Sequence, residues 1–481
     1  MKKSAFFALF VLLLSAAGCN AKPTPEKSAI PTSSEELAKI LTKSYYYQRA
    51  SLSLEPAYAG KWSRAAGHPD THVAYHPSTG HSEGFLSSPG GWYDAGDYNK
   101  YVVNAGISVG QLLAAHEAAP GVFADGALNI PESGNGQNDL LDEVKWELDW
   151  MKTMQDTDGG VFFKITSKVF CGMVMPAADN LERWVVGKST TSALDFAAVM
   201  AMASRVYATY NAAYAADCLA RAERAWGWAV ANPSVAYRNP SDISTGEYGD
   251  GTMTDEFFWA AVELAVATGD AGEYKSYVQQ HIGDYIPVSE PSWGFVAPLG
   301  ITTLAFAPDV CGVKARATEA IVDFGRNSLR QIAQSPTAMP HINFNWGSNS
   351  GVANTGVLIL CAYRLTGDKA FLEGAKVVSD YLLGSNATGY CFITGVEGIG
   401  EKSPMNPHHR PSAADGIAEP VPGFVVGGPN GGRNDEGPGV VYPDHRPEMC
   451  YVDVTESYAS NEVAINWNAP AILFYALYNE E

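Results

Sequence analysis

Apolar residues recur along most of the chain at the three- and four-residue spacing of amphipathic helices, in blocks of one to two dozen residues separated by loops rich in Gly, Pro, Asn and Asp. The first block follows Ser33, which with Glu36 makes a capping box ahead of Leu37, Ile40 and Leu41. Further blocks are predicted at 104–119, 140–155, 191–210, 213–232, 255–269, 271–282, 293–307, 313–333, 348–367, 369–384 and 460–480, twelve in all. Pro470 in the last should kink the helix or mark a restart.

Several blocks, such as 197–206 and 471–477, are apolar on more than one face. Helices covered on two sides imply an inner ring wrapped by an outer one, and six of each make an all-α (α/α)6 barrel. An irregular α bundle is the alternative that periodicity leaves open. No fixed-length repeat is visible, which disfavours a solenoid. Two long stretches without helical pattern, 56–93 and 385–459, are dense in Gly, Pro, His, Trp and Tyr; loops of that length in a compact domain are usually functional.

Composition adds compartment and partners. Apolar residues are 46% of the 481, enough for a large core, and the net charge of −20 argues against nucleic acid. Lys2 and Lys3 precede an apolar run, 5–17, that is short for a membrane span and reads as an export signal. It ends in Leu14-Ser15-Ala16-Ala17-Gly18-Cys19, which resembles a bacterial lipobox with Cys19 as the lipidated residue; a plain signal peptide is the alternative. The expected organisation is a signal at 1–19, a flexible tether at 20–40 and a catalytic domain at 41–481, exported and held to a membrane by lipid. The six remaining cysteines show no CxxC spacing, and Cys218 and Cys361 read as buried thiols.

Chemistry concentrates in three places. Gly90-Gly91-Trp92-Tyr93-Asp94-Ala95-Gly96-Asp97 describes a tight loop aiming two carboxylates at one point, where a water can be held. Asn406-Pro407-His408-His409-Arg410 supplies donors. Asn461-Glu462-Val463-Ala464-Ile465-Asn466-Trp467-Asn468-Ala469 supplies a third carboxylate, read as lying at a helix start.

These three motifs, in this order, resemble family 9 glycoside hydrolases, the inverting cellulases. The likeness continues through Lys188-Ser189-Thr190-Thr191, Tyr248-Gly249-Asp250 and Asp255-Glu256, over roughly residues 43–480. It implies the (α/α)6 barrel already reached from helix count. It also implies that Asp97 is the base, that Asp94 shares the water, and that Glu462 is the acid protonating the leaving oxygen, with His408 and Arg410 on the sugar at the cleavage site. An N-terminal helix position would favour the charged form of Glu462, the opposite of what an acid needs; nearby Asp94, Asp97 and Asp453 are the candidates to offset it.

Sugar clefts use aromatic faces as platforms, for which the chain offers Trp92, Trp293, Trp346, Tyr451, Tyr458 and Trp467, with Trp259 better read as core. Tyr458 matches the family's aromatic position before the acid. Catalysis calls for no cofactor. By resemblance a structural calcium falls at Asp250, Asp255 and Glu256, although helix-start acids are the plain reading. Zinc is disfavoured, because Ala59 and Gly67 stand about where relatives carry thiols, leaving only His68 and neighbours such as His72 and His76. The substrate expected is a β-1,4-glucan or cello-oligosaccharide cut endo; exo action on the same fold and a catalytically silent glycan-binding lipoprotein are the alternatives.

Overall fold

The computed structural model describes residues 33–269, 272–335, 337–339 and 342–478. The export signal, the lipobox and most of the tether lie outside them. Twelve long helices follow in chain order: α1 Ser34–Gln48, α2 Val102–Ala118, α3 Asp139–Thr153, α4 Thr190–Val206, α5 Ala212–Ala231, α6 Thr254–Thr268, α7 Gly272–His281, α8 Ala297–Phe306, α9 Lys314–Gln334, α10 Ser348–Thr366, α11 Lys369–Leu382 and α12 Ile465–Leu477. Ser33 caps α1 by accepting from the Glu36 amide, and Leu37 and Ala38 are already buried, so the ordered unit begins before the expected tether end at residue 40.

Burial separates the two rings. On α5 only Ala215, Cys218, Ala222, Ala225, Trp226 and Ala229 are buried, a single stripe at helical spacing. On α4 every residue except Arg205 is buried. The even-numbered helices form the inner ring: a narrow axial cavity of about 40 Å³ is walled by Gly110 of α2, Met202 of α4, Trp259 of α6, Thr303 of α8, Val357 of α10 and Leu473 of α12. The odd-numbered helices pack outside them, which is the (α/α)6 barrel.

α12 runs unbroken through Pro470. Proline cannot donate to the carbonyl four residues back; the Ser350 hydroxyl lies 3.4 Å from that Asn466 oxygen. α4 opens with a reciprocal capping box between Ser189 and Ser192, inside the Lys188-Ser189-Thr190-Thr191 motif.

Not anticipated from sequence is a small five-stranded sheet in order β2-β1-β5-β4-β3, made of β1 Val73–Tyr75, β2 Phe85–Leu86, β3 Lys100–Tyr101, β4 Lys164–Thr166 and β5 Trp184–Val185. Strands of two or three residues carry too little alternation to register as a period. β3 runs straight into α2 and pairs antiparallel with β4, setting Tyr101 opposite Lys164.

Candidate active site

The 90–101 loop is built to hold two acids. Gly90 and Gly91 take φ of +82° and +77°, and a Cβ on Gly91 would lie 2.7 Å from the Trp150 ring, so only glycine turns the chain here. The Asp94 amide donates to the Asn99 carbonyl at 3.0 Å, closing the loop around Asp97. Backbone contacts then stitch the three motifs together. Ile465 N–H donates to the Asp94 carbonyl (2.8 Å) and His408 N–H to the Asn461 carbonyl (2.8 Å). Ala95 bridges Ala464, and His408 bridges Glu462. Gly96 rests on the His408 backbone with no room for a Cβ.

Within this frame Asp94 Oδ1 accepts from Asn104 Nδ2 (2.8 Å) and Oδ2 from the Tyr248 hydroxyl (3.0 Å). Asp97 Oδ2 accepts from Asn99 Nδ2 (2.5 Å) and more distantly from the Tyr101 hydroxyl (3.4 Å). Its Oδ1 has no partner among the described residues, so one acceptor of this cavity-lining carboxylate is left unengaged. Asp94, Asp97 and Glu462 line one cavity of about 650 Å³ together with Tyr248, Trp293, Trp346 and Trp467.

All three carboxyls are pushed up from the usual carboxylate range, chiefly by burial. For Glu462 the charges of Asp97 and then Asp94 add to burial, while Arg410 and the Gly96 backbone oppose it. The two aspartates are unequal. Asp97 has the Arg410 guanidinium as the largest influence holding it down, followed by Asn99, whereas Asp94 is raised further by Asp97 itself. The surroundings therefore favour the anion at Asp97, next to the Arg410 charge, over Asp94.

Three buried carboxyls with unequal surroundings in one tryptophan-walled cavity are the parts of a glycosidase. The sequence profile of glycosyl hydrolase family 9 matches residues 35–475. The chain belongs to glycosyl hydrolase family 9. A xyloglucan-specific endo-β-1,4-glucanase of Bacteroides ovatus is 43% identical over 461 residues, spanning 91% of this chain and 77% of that protein. Endoglucanase D of Acetivibrio thermocellus is 34% identical over 457 residues, spanning 92% of this chain and 69% of that one. A solved family 9 structure from Bacteroides ovatus superposes with a TM-score of 0.84 at 40% identity, over 92% of this chain and 82% of that one. The protein is thus a glycoside hydrolase of this inverting family.

Several expectations for this family 9 enzyme need revision. Glu462 does not open a helix: α12 starts at Ile465, and Glu462 sits in the extended segment before it, so the dipole conflict is relieved. The charges that bear most on Glu462 are Asp97 and Asp94; Asp453 accepts from the Met405 and Asn406 amides (both 2.8 Å) and braces that loop. Trp92 is 1% exposed, packed edge-on to Tyr45 and donating its indole N–H to Glu143 (2.8 Å), so it is core and not a sugar platform.

Arg410 is also buried, with Nη1 donating to the Gly96 carbonyl (2.6 Å) and Nε and Nη2 to that of Cys171 (3.2 and 3.0 Å). Those bonds tie it to the Asp97 loop and to Cys171, and its charge bears on Asp97. His408 donates from Nδ1 to the Thr455 carbonyl (2.6 Å); a carbonyl only accepts, so the proton is on Nδ1 and Nε2 carries a lone pair. Burial pulls its pKa down, keeping it neutral. His409 is buried, its ring nitrogens facing Ser412 and Gln48. Trp346 and Tyr458 are exposed with rings 5.3 Å apart, an open aromatic rim.

Among the described residues no group of three or more His, Cys, Asp or Glu gathers around a metal position. Asp255 is tied to the Val296 amide and Asp250 to that of Thr252, while Glu256 is buried with both oxygens unpartnered, close enough to the likewise unpartnered Asp195 to be raised by its charge. In the zinc region, a Cβ at Gly67 would meet Pro176 at 2.5 Å, and His68 is engaged by Tyr93 and Asp179.

Sequence reasoning missed Asn99, Tyr101, Asn104 and Tyr248 as partners of the aspartates. The first three lie in or just after the motif. Tyr248 has a φ of +46°, a cost to a bulky residue that its hydrogen bond to Asp94 explains.

Proposed function

We propose that Asp97 is the general base, that Asp94 positions the same water, and that Glu462 is the general acid. The observation carrying this is the unpartnered Asp97 Oδ1, on a residue whose cavity is shared with Glu462, a carboxyl that burial and the two aspartates push up. Inversion needs one ionised and one protonated carboxyl with a water between base and sugar, and the unequal surroundings of these groups supply both states. His408 accepts a sugar hydroxyl through Nε2, and Trp346 and Tyr458 receive sugar faces at the rim. Proton NMR of the first product tests the mechanism: the α-anomer is expected, and a β-anomer overturns it. Reduced cello-oligosaccharides separate internal from terminal cleavage, and no cleavage would leave only a glycan binder.

Among β-1,4-glucans the reading favours xyloglucan, on the strength of the 43% identical relative. Comparing kcat/KM on xyloglucan and on an unbranched soluble glucan tests it. Calcium at Asp250, Asp255 and Glu256 is supported by the free oxygens of Glu256 and the hard-oxygen chemistry of the group; it would hold the start of α6 and take no part in bond cleavage. Export with a lipid on Cys19 rests on the lipobox alone; mass spectrometry of the mature N-terminal peptide, with Cys19→Ala as the control, tests it.

A further inference from the structure

Lys164, in the middle of the molecule on β4, is fully buried. Its ammonium donates to the Gly246 carbonyl (2.6 Å), Asn239 Oδ1 (2.9 Å) and Thr245 Oγ1 (3.1 Å). All three acceptors are neutral, and no carboxylate of the described residues lies within ion-pair distance. A buried ammonium without a contact counter-ion is costly, so a fold that keeps one needs a reason.

Its surroundings supply one. The three acceptors belong to the segment that walls the active-site cavity, and that segment also carries Tyr248, the Asp94 partner. Opposite, the ammonium lies 5.1 Å from the centre of the Tyr101 ring, whose hydroxyl is directed at Asp97. Tyr101 and Tyr248 meet edge to face at 4.9 Å. Lys164 is therefore the fixed point from which both tyrosines reach the two aspartates.

We infer that Lys164 is a positioning residue for hydrolysis, its fixed positive charge keeping the Asp97 base ionised while its three hydrogen bonds hold the 239–248 wall in place. This rests on the reading of Asp97 as base. The charged groups that bear on Lys164 are Asp97, Glu247 and Asp94, all of which favour its ammonium form against burial, which draws it down to about 7. Those bearing on Asp97 include Arg410, Arg183 and Lys164, all of which hold it down against burial; Asp94 and Glu462 share its cavity. On the acid side of neutrality, where ionisation of the base is decided, Lys164 carries its charge.

The test is the pH dependence of kcat and KM on a soluble β-1,4-glucan for wild type, Lys164→Met and Lys164→Arg. Removing a nearby positive charge raises the pKa of the base, so in Lys164→Met the acid limb of kcat should move up by roughly one unit. Lys164→Arg should keep the wild-type limb even where its bulk displaces the wall and raises KM. A purely structural role would alter KM or stability in both variants without moving the limb, and that result overturns the inference. Lys164→Gln carries the same test if the methionine variant does not fold; failure of both neutral variants to fold, with the arginine variant folded, also assigns a structural role and overturns it. Asp97→Asn run alongside keeps the two readings apart: residual activity with an intact acid limb would remove Asp97 as base, whereas loss of activity there with an unmoved limb in Lys164→Met would remove only Lys164.

Discussion

The Tyr248 hydroxyl donates to Asp94 Oδ2 at 3.0 Å, joining the aspartate loop to a wall segment from the far side of the cleft. Tyr248→Phe removes that bond and leaves the ring contacts with Tyr101 and Trp293. A hydrogen bond to a charged or charge-sharing group contributes about 1.5–3 kcal/mol. Asp94 would be freed to turn from the water, so kcat should fall on the order of tenfold or more with KM little changed, as steady-state kinetics on a soluble glucan would show.

Asp97→Asn removes the proposed base and should lower kcat by roughly 10²- to 10⁴-fold or more. Glu462→Gln should be as severe on unactivated glucan but mild on an aryl cello-oligoside, whose phenolate leaves without a proton. Equal losses on both substrates would contradict the assignment of Glu462 as acid.

Asp94→Asn should inactivate the enzyme and stabilise it. Burial and Asp97 raise the folded-state pKa of Asp94, so the stability of the native carboxyl is full below the unfolded value near ~4 and is lost as pH rises through the folded one. Asparagine does not titrate. The variant should therefore melt at a higher temperature than wild type at pH 7, with the gap closing towards pH 4.

A calcium ion beside Glu256 predicts that added Ca²⁺ raises the melting temperature and that EGTA reverses it, with kcat at low temperature unaffected. Glu256→Gln should abolish the increment. No shift in the wild type would remove the ion from the account.

Gly96→Ala places a methyl group into the His408 backbone. The contact cannot relax without separating the aspartate loop from the His408 segment, so activity should fall well beyond what a surface Gly→Ala change brings. Circular dichroism would confirm that the barrel persists.

The helical architecture was legible because inner helices are apolar all round and outer ones carry a single stripe, as α4 and α5 illustrate. The acids were legible through motifs. What eluded the sequence depended on where side chains turn. Trp92 and Arg410 lie in motifs and point inward, because their partners Glu143, Gly96 and Cys171 come from distant segments. Glu462 looked helical because the apolar period of α12 extends into the strand-like residues before it. Lys164 gives no local signal at all: its meaning comes from a two-residue strand pairing and a loop some eighty residues on.

α12, which follows Glu462, packs against both α10 and α2 and fills the gap between them. The proposed acid and base are thus contributed by distant parts of the barrel sequence and meet only when the ring closes. A chain in which α12 has not yet docked has no paired carboxyls to act with, however well its earlier hairpins have formed. Hydrolytic activity is accordingly a late event in folding, and its appearance during refolding should time the docking of α12 more directly than the recovery of helical signal does.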